Sequence, residues 1–174
     1  AEIHWRQGQY GETVAEIEGG IAAATEAATL WGDWAVNAYS ILHAAVLTST
    51  GQLDEAMALA EQLEPAGSPF LFNTLGLAYR LSGRMEEAVA ACAQALEYRE
   101  NPWVPTGPYH LDAHVSLSII HMLTGDKEEA RAEATEVLKL SPDFSVAVWG
   151  KRNPLKDRAQ VERDMAALKE AGLK

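Results

Sequence analysis

The sequence predicts an all-α fold built from antiparallel helix pairs, and three observations support this prediction. Hydrophobic residues make up 48% of the 174 positions, alanine is abundant and β-branched residues are few, which favours helix. Glycine recurs where a chain would turn between two helices, at Gly51, Gly83 and Gly125. An alanine follows each glycine by five residues, so each second helix carries a small side chain at the same position.

The stretch Phe72–Leu96 shows the pattern most clearly. Leu75 and Tyr79 are four residues apart and therefore share one face of a first helix. Gly76 provides a small residue where a second helix must come close. Ala88 and Ala95 lie seven apart, which places both on the inner face of that second helix. The two helices are therefore predicted to pack closely against each other.

This order of large and small residues resembles the tetratricopeptide repeat, a pair of antiparallel helices about 34 residues long. The resemblance implies an α-α superhelix whose first helices line a concave groove. It also implies a non-catalytic module that binds a protein or peptide. It names no catalytic residue and no cofactor.

The spacing of the turn glycines divides the chain into repeats and one insertion. Gly51 and Gly83 are 32 residues apart, whereas Gly83 and Gly125 are 42 apart. Three prolines and a glycine between residues 101 and 109 are expected to exclude regular helix there, so that the next helix begins at His110 or Leu111. The single domain 1–174 is thus predicted to contain a partial, degenerate repeat at 1–30, repeats at 33–65, 69–99 and 111–142, a proline-rich insertion at 100–110, and a tail with a capping helix at 143–174.

The tail is predicted to end in an amphipathic helix from about Arg158 to Glu170. Val161, Met165 and Leu168 form a narrow apolar stripe along this helix. The remaining surface is assigned to charged residues, which are Arg158, Glu162, Arg163, Asp164 and Lys169. One apolar and one polar face are what a helix that caps a repeat array requires.

The tail carries a longer motif, which consists of Pro142-Asp143-Phe144-Ser145, Trp149, Arg152-Asn153-Pro154-Leu155-Lys156-Asp157, Val161-Glu162-Arg163, Leu168 and Ala171-Gly172-Leu173. It is similar to the tails of bacterial tetratricopeptide regions that follow class III adenylate/guanylate cyclase domains or DNA-binding regulator domains. The resemblance implies that the chain is the C-terminal sensory or docking part of a larger signalling protein. The sequence shows no cyclase-type pairing of metal-binding aspartates with strands.

The resemblance also implies which residues line the groove. On the first helices these are Phe70, Asn73, Leu77, Arg80, Asp112, Val115, Ile119 and Met122. Asn73 is suited to hold a peptide backbone, and Arg80 is suited to bind a carboxylate through two parallel hydrogen bonds. The alternative is a groove that is only solvated or that another part of the chain fills.

The proline-rich insertion is the most individual feature of the sequence. Trp103 and Tyr109 are candidates for a lid over the groove or for contacts with a partner. The alternative is that Trp103 packs on the neighbouring helices and the prolines only stiffen the connection.

Three histidines provide the alternative of an enzyme or a metal site. His110 and His114 are four residues apart, and His121 follows two turns later. His114 and His121 occupy positions where the repeat places packing aromatics, so packing is the favoured interpretation and no metal is expected. Cys92 is expected to be buried and inert.

Charge and composition restrict the partners. A net charge of −11 argues against a nucleic acid partner, which requires a basic surface. No apolar run approaches the roughly 20 residues that cross a membrane, and the first residues lack a signal-peptide pattern, so a cytoplasmic location is expected. A protein or peptide is the predicted ligand, and homo-oligomerisation of the array is the alternative.

Overall fold

The computed structural model describes residues 9–31, 34–63, 68–98 and 107–174, and within these ranges the chain forms helices and no strand. The all-α prediction is confirmed. In chain order, the helices are α1 (Tyr10–Trp31), α2 (Trp34–Thr50), α3 (Leu53–Leu63), α4 (Pro69–Leu81), α5 (Met85–Glu97), α6 (Gly107–Thr124), α7 (Lys127–Leu140), α8 (Val146–Arg152) and α9 (Arg158–Glu170).

Three helix pairs follow one another, each joined by a glycine turn: α2 with α3, α4 with α5, and α6 with α7. The turn glycines Gly51, Gly83 and Gly125 have φ values of 90°, 82° and 94°, a left-handed conformation that glycine adopts without a steric penalty. The amide after each glycine donates to the carbonyl five residues earlier, as Arg84 does to Tyr79 at 2.9 Å. The predicted positions of the three turns are therefore confirmed.

The pairs stack in order, and their core lies between neighbouring pairs. α4 packs against both α2 and α6, while α3 packs against α4 and α5 against α6. Leu71 and Leu75 of α4 share a buried cluster with Ile41 of α2 and Ala113 of α6. Each pair therefore buries its apolar surface against its neighbours, as the helices of a repeat array do.

Close approach of the helices explains two of the glycines. A Cβ atom at Gly76 would lie 2.6 Å from the Cys92 sulfur of α5, so the predicted close contact within the central pair is confirmed. A Cβ atom at Gly20 would lie 2.3 Å from a ring carbon of Tyr39, while Gly19 faces open space. α1 runs unbroken through both glycines. The close contact with the Tyr39 ring explains why position 20 carries no side chain.

The start of α6 differs from its prediction. The helix begins at Gly107 rather than at His110 or Leu111, so the expectation of no regular helix is wrong for residues 107–109. Pro108 lies in the first turn, where its missing amide hydrogen has no helical partner to lose, and proline is favoured there. The earlier part of the insertion, including Trp103, lies outside the described residues.

Among the helices of the described ranges, none combines the length and the apolar character that crossing a membrane requires.

Candidate functional site

The C-terminal segment, residues 142–174, lies against the surface that α2, α4 and α6 form together, which we call the first-helix face. The backbone amide of Lys156 donates to the carbonyl of Ser49 at the end of α2, at 2.9 Å. The Tyr10 hydroxyl of α1 donates to the carbonyl of Pro154. α9 packs along α6. The segment thus contacts α2 and α6 in addition to ending the array.

A buried ion pair fixes α9 to α4. The Arg80 guanidinium donates two hydrogen bonds to the Asp164 carboxylate, at 2.7 and 2.8 Å, across 84 residues of sequence. The two side chains are 3% and 0% exposed. Gln160, one turn earlier on α9, donates a further hydrogen bond of 2.7 Å to the same carboxylate. Arg80 therefore binds a carboxylate in this structure, and that carboxylate belongs to the chain itself.

The assignment of Asp164 to the polar face of the last helix is wrong. Asp164 is fully buried, as are Val161 and Leu168 on either side of it. Its position three residues after Val161 and four before Leu168 places it inside the apolar stripe. An acidic residue within such a stripe is the signal in the sequence that could have indicated a buried partner.

Apolar residues of α6 also pack against the C-terminal segment. Val115, Ile119 and Met122 of α6 are all at least nine-tenths buried. They share one core cluster with α7 and with the C-terminal segment, whose members in it are Val146, Ala167, Leu168, Ala171 and Leu173. Three of the predicted groove residues therefore lie beneath this segment.

The C-terminal segment is itself a compact unit. A Cβ atom at Gly150 of α8 would lie 2.2 Å from the Met165 sulfur of α9, so the two helices approach closely. Arg158 donates to the carbonyls of Gly150 and Asn153, at 2.7 and 2.9 Å. These bonds link the first turn of α9 to the end of α8.

The amino-terminal half of the first-helix face has a different environment. The Asn73 side chain donates to the backbone carbonyl of Tyr109 at 2.8 Å, and the rings of Phe70 and Tyr109 lie 6.1 Å apart. Leu77 of α4 is half-buried, and Asp112 of α6 is exposed. The Tyr109 contacts therefore connect the first turn of α6 to α4.

Two buried polar atoms on this face have no hydrogen-bond partner among the described residues. They are Oδ1 of Asn73 and Nε of Arg80. Both residues belong to α4, two helical turns apart, and they are 9% and 5% exposed. Buried polar groups are nearly always paired in folded proteins, so these two atoms are exceptions.

A cleft of about 270 Å³ opens beside α9. One wall is the turn between α2 and α3, around Gly51, and the other is formed by Leu155, Gln160 and Arg163. The C-terminal segment is therefore not packed tightly against α2 along its whole length.

The three histidines have separate partners. His110 Nε2 lies 2.9 Å from the Tyr98 carbonyl, and His114 Nδ1 lies 2.6 Å from the Glu133 carboxylate. His121 lies 3.9 Å from Asp126. Within the described ranges, no three histidine, cysteine or acidic residues are placed to hold a metal ion together. The histidines thus do not converge on a shared site.

Cys92 is fully buried beneath Gly76, as predicted. Burial raises the pKa of its thiol to about 12, because a thiolate there would lose its solvation. The thiol is therefore protonated and unreactive at neutral pH.

Comparison with protein families identifies the repeat class. A tetratricopeptide-repeat model matches residues 71–102 and 111–144, which include most of the two pairs α4–α5 and α6–α7. Over these two ranges the chain is similar to tetratricopeptide repeats, a repeat class that generally mediates protein–protein interaction. No curated protein and no solved structure matches the chain.

Proposed function

We propose that the chain is a docking module whose first-helix face binds a segment of a partner protein. The observation that carries the proposal is the bidentate contact of Arg80 with a carboxylate on this face. Such a contact orients its ligand as well as holding it, because the planar guanidinium matches a carboxylate in geometry. Asn73, Leu77 and Asp112 extend the proposed surface toward the amino ends of the same helices.

A protein partner is consistent with the net negative charge of the chain. The net charge of −11 disfavours the phosphate backbone of nucleic acids, whereas a single carboxylate beside a buried arginine is tolerated. The proposed ligand is therefore a polypeptide segment that brings a carboxylate to Arg80.

Capture of partners with variants of the first-helix face and one exposed control variant tests this proposal. Immobilised chain is incubated with lysate of the source organism, in parallel with Asn73→Ala, Leu77→Glu and a control variant, Glu129→Lys, exposed in the first turn of α7. We expect one set of partners that the control retains and the two face variants lose. Equal recovery by all variants would contradict binding at the first-helix face.

We further propose that the module belongs to a larger signalling protein, in a cyclase or DNA-binding regulator context. The tail motif that resembles such proteins supports this proposal, and the same residues form the C-terminal segment. An antibody raised against the chain should detect a band well above 18.9 kDa in lysate of the source organism. The immunoprecipitate is then assayed for cyclic nucleotide formation. A single band at the mass of the chain itself would contradict the proposal.

Self-association is the second candidate function, and exposed apolar side chains at the end of the array favour it. Leu138 and Leu140 of α7 are 40% and 46% exposed, and Val148 of α8 is 45% exposed. Light scattering over a range of concentrations tests this candidate. A strict monomer at high concentration would exclude it.

A further inference from the structure

The position of α9 on the first-helix face suggests how partner binding is controlled. Its carboxylate occupies the guanidinium of Arg80, and its aliphatic residues cover Val115, Ile119 and Met122 of α6. A partner that uses the same arginine must first displace α9. From this geometry we infer that α9 is an internal ligand that keeps the face closed until a competing partner helix arrives. This inference rests on the proposed docking function.

Two buried polar groups of α4 have no hydrogen-bond partner in the closed arrangement of the described residues. With α9 in place, Nε of Arg80 and Oδ1 of Asn73 lack partners within the described part of the chain. A ligand that follows α4 for two turns would reach both atoms, since they lie on the same helix face. α9 satisfies only two of the three donor nitrogens of the guanidinium.

α9 is also bordered on one side by an open cleft. The cleft of about 270 Å³ separates Gln160 and Arg163 from the turn between α2 and α3. A competing segment can begin to bind along this cleft while α9 is still in place.

The residues of α9 define the chemistry of the competitor. Val161, Asp164 and Leu168 face the array and are fully buried. The helix as a whole carries acidic and basic side chains in equal number, so it has no net charge. The partner is therefore an amphipathic helix with one carboxylate between two aliphatic residues, spaced as in α9, and without the excess negative charge that this acidic chain would repel.

A competition experiment with the full chain tests the inference. The probe is a fluorescent peptide with the sequence of residues 154–174, and a second peptide carries Asp164→Asn. They are titrated into the wild-type chain, into the chain with Asp164→Asn, and into Arg80→Met/Asp164→Leu. The double variant replaces the ion pair by apolar groups of similar volume, so it lacks the Arg80 guanidinium and is the control for binding through that group.

We expect the Asp164→Asn chain to bind the probe at least about tenfold more tightly than the wild-type chain, because its own α9 has lost the charge that holds it. It should also bind the probe more tightly than the double variant, which lacks Arg80. The Asn-substituted peptide should bind that chain at least about tenfold more weakly than the probe. Equal binding of both peptides, or no gain for the Asp164→Asn chain, would overturn the inference. A dimer of this variant in light scattering would also overturn it, by identifying a second copy as the occupant.

If the Asp164→Asn chain does not fold, amide hydrogen exchange of the wild-type chain still tests the inference. α9 should exchange through an opening that leaves α4 to α7 protected. Exchange of α9 only together with those helices would overturn the inference. Partner capture that depends on Asn73 and Leu77 but is unaffected by opening α9 would leave the docking function intact and refute only the internal ligand.

Discussion

Gly76 shows at the scale of one residue how the central helix pair is held together. An added Cβ atom would meet the Cys92 sulfur at 2.6 Å, whereas at Gly19 of α1 the same atom would meet nothing within 4 Å. Both glycines lie inside helices, so the intrinsic preference for alanine acts at both. Packing alone therefore distinguishes the two positions.

Gly76→Ala should lower the free energy of unfolding by about 1–3 kcal/mol, because the methyl group overpacks the interface. Gly19→Ala should raise it by up to about 1 kcal/mol through helix propensity. Urea denaturation measures both changes. In the double variant Gly76→Ala/Cys92→Ala the space left by the sulfur should restore much of the loss. Equal effects at the two glycines would contradict the close contact.

Because burial raises the pKa of the Cys92 thiol, the stability of the chain should depend on pH. Its pKa is about 12 in the folded chain against an ordinary value of 9.0, so above pH 9 the unfolded chain releases this proton and the folded chain keeps it. The protonated thiol makes its full contribution to the free energy of unfolding below pH 9. This contribution is lost as the pH rises toward 12, by up to about 1.4 kcal/mol per pH unit. Denaturation at about pH 8 and about pH 10 should show a larger loss for the wild-type chain than for Cys92→Ala. Parallel losses would contradict a buried, protonated thiol.

At the scale of the helix, local signals are predictable from the sequence and the contacts made by the tail are not. The three turn glycines are predicted correctly, because a left-handed residue after a helix is a local requirement. The predicted start of α6 is wrong because prolines usually break helices, whereas Pro108 begins one. The place of Asp164 in the apolar stripe indicates its burial, but its partner, Arg80, cannot be predicted because it lies 84 residues away.

The N-terminal cap of α4 gives a prediction at the same scale. The Ser68 hydroxyl accepts a hydrogen bond from the Leu71 amide at 3.0 Å, and Pro69 follows it in the first turn. Ser68→Ala should lower the free energy of unfolding by about 1 kcal/mol, since that amide loses its acceptor. Ser68→Asp should be nearly neutral, because aspartate caps as well as serine. Urea denaturation compares them, and equal losses for both variants would contradict the capping role.

At the scale of the whole molecule, the array and its C-terminal segment form one connected structure. The repeats can be predicted from the sequence, since each contact within a pair joins residues close in the chain. Which surface the tail covers cannot be predicted in this way, because it depends on where three separate first helices meet. The sequence predicts that Arg80, Val115, Ile119 and Met122 share one face, but their contacts with the C-terminal segment emerge only in the folded chain.

A double-mutant cycle in urea denaturation tests most directly whether α9 occupies the first-helix face through Arg80. It compares the wild-type chain with Arg80→Met, Asp164→Leu and the double variant. Each single change leaves an unpaired buried charge and should cost about 3–5 kcal/mol, whereas the double variant should be close to neutral. These values give a coupling energy of about 6 kcal/mol or more between the two residues, since the two single losses add up while the loss of the double variant is small. A coupling energy near zero would show that α9 does not engage Arg80 and would contradict the closed arrangement of the face.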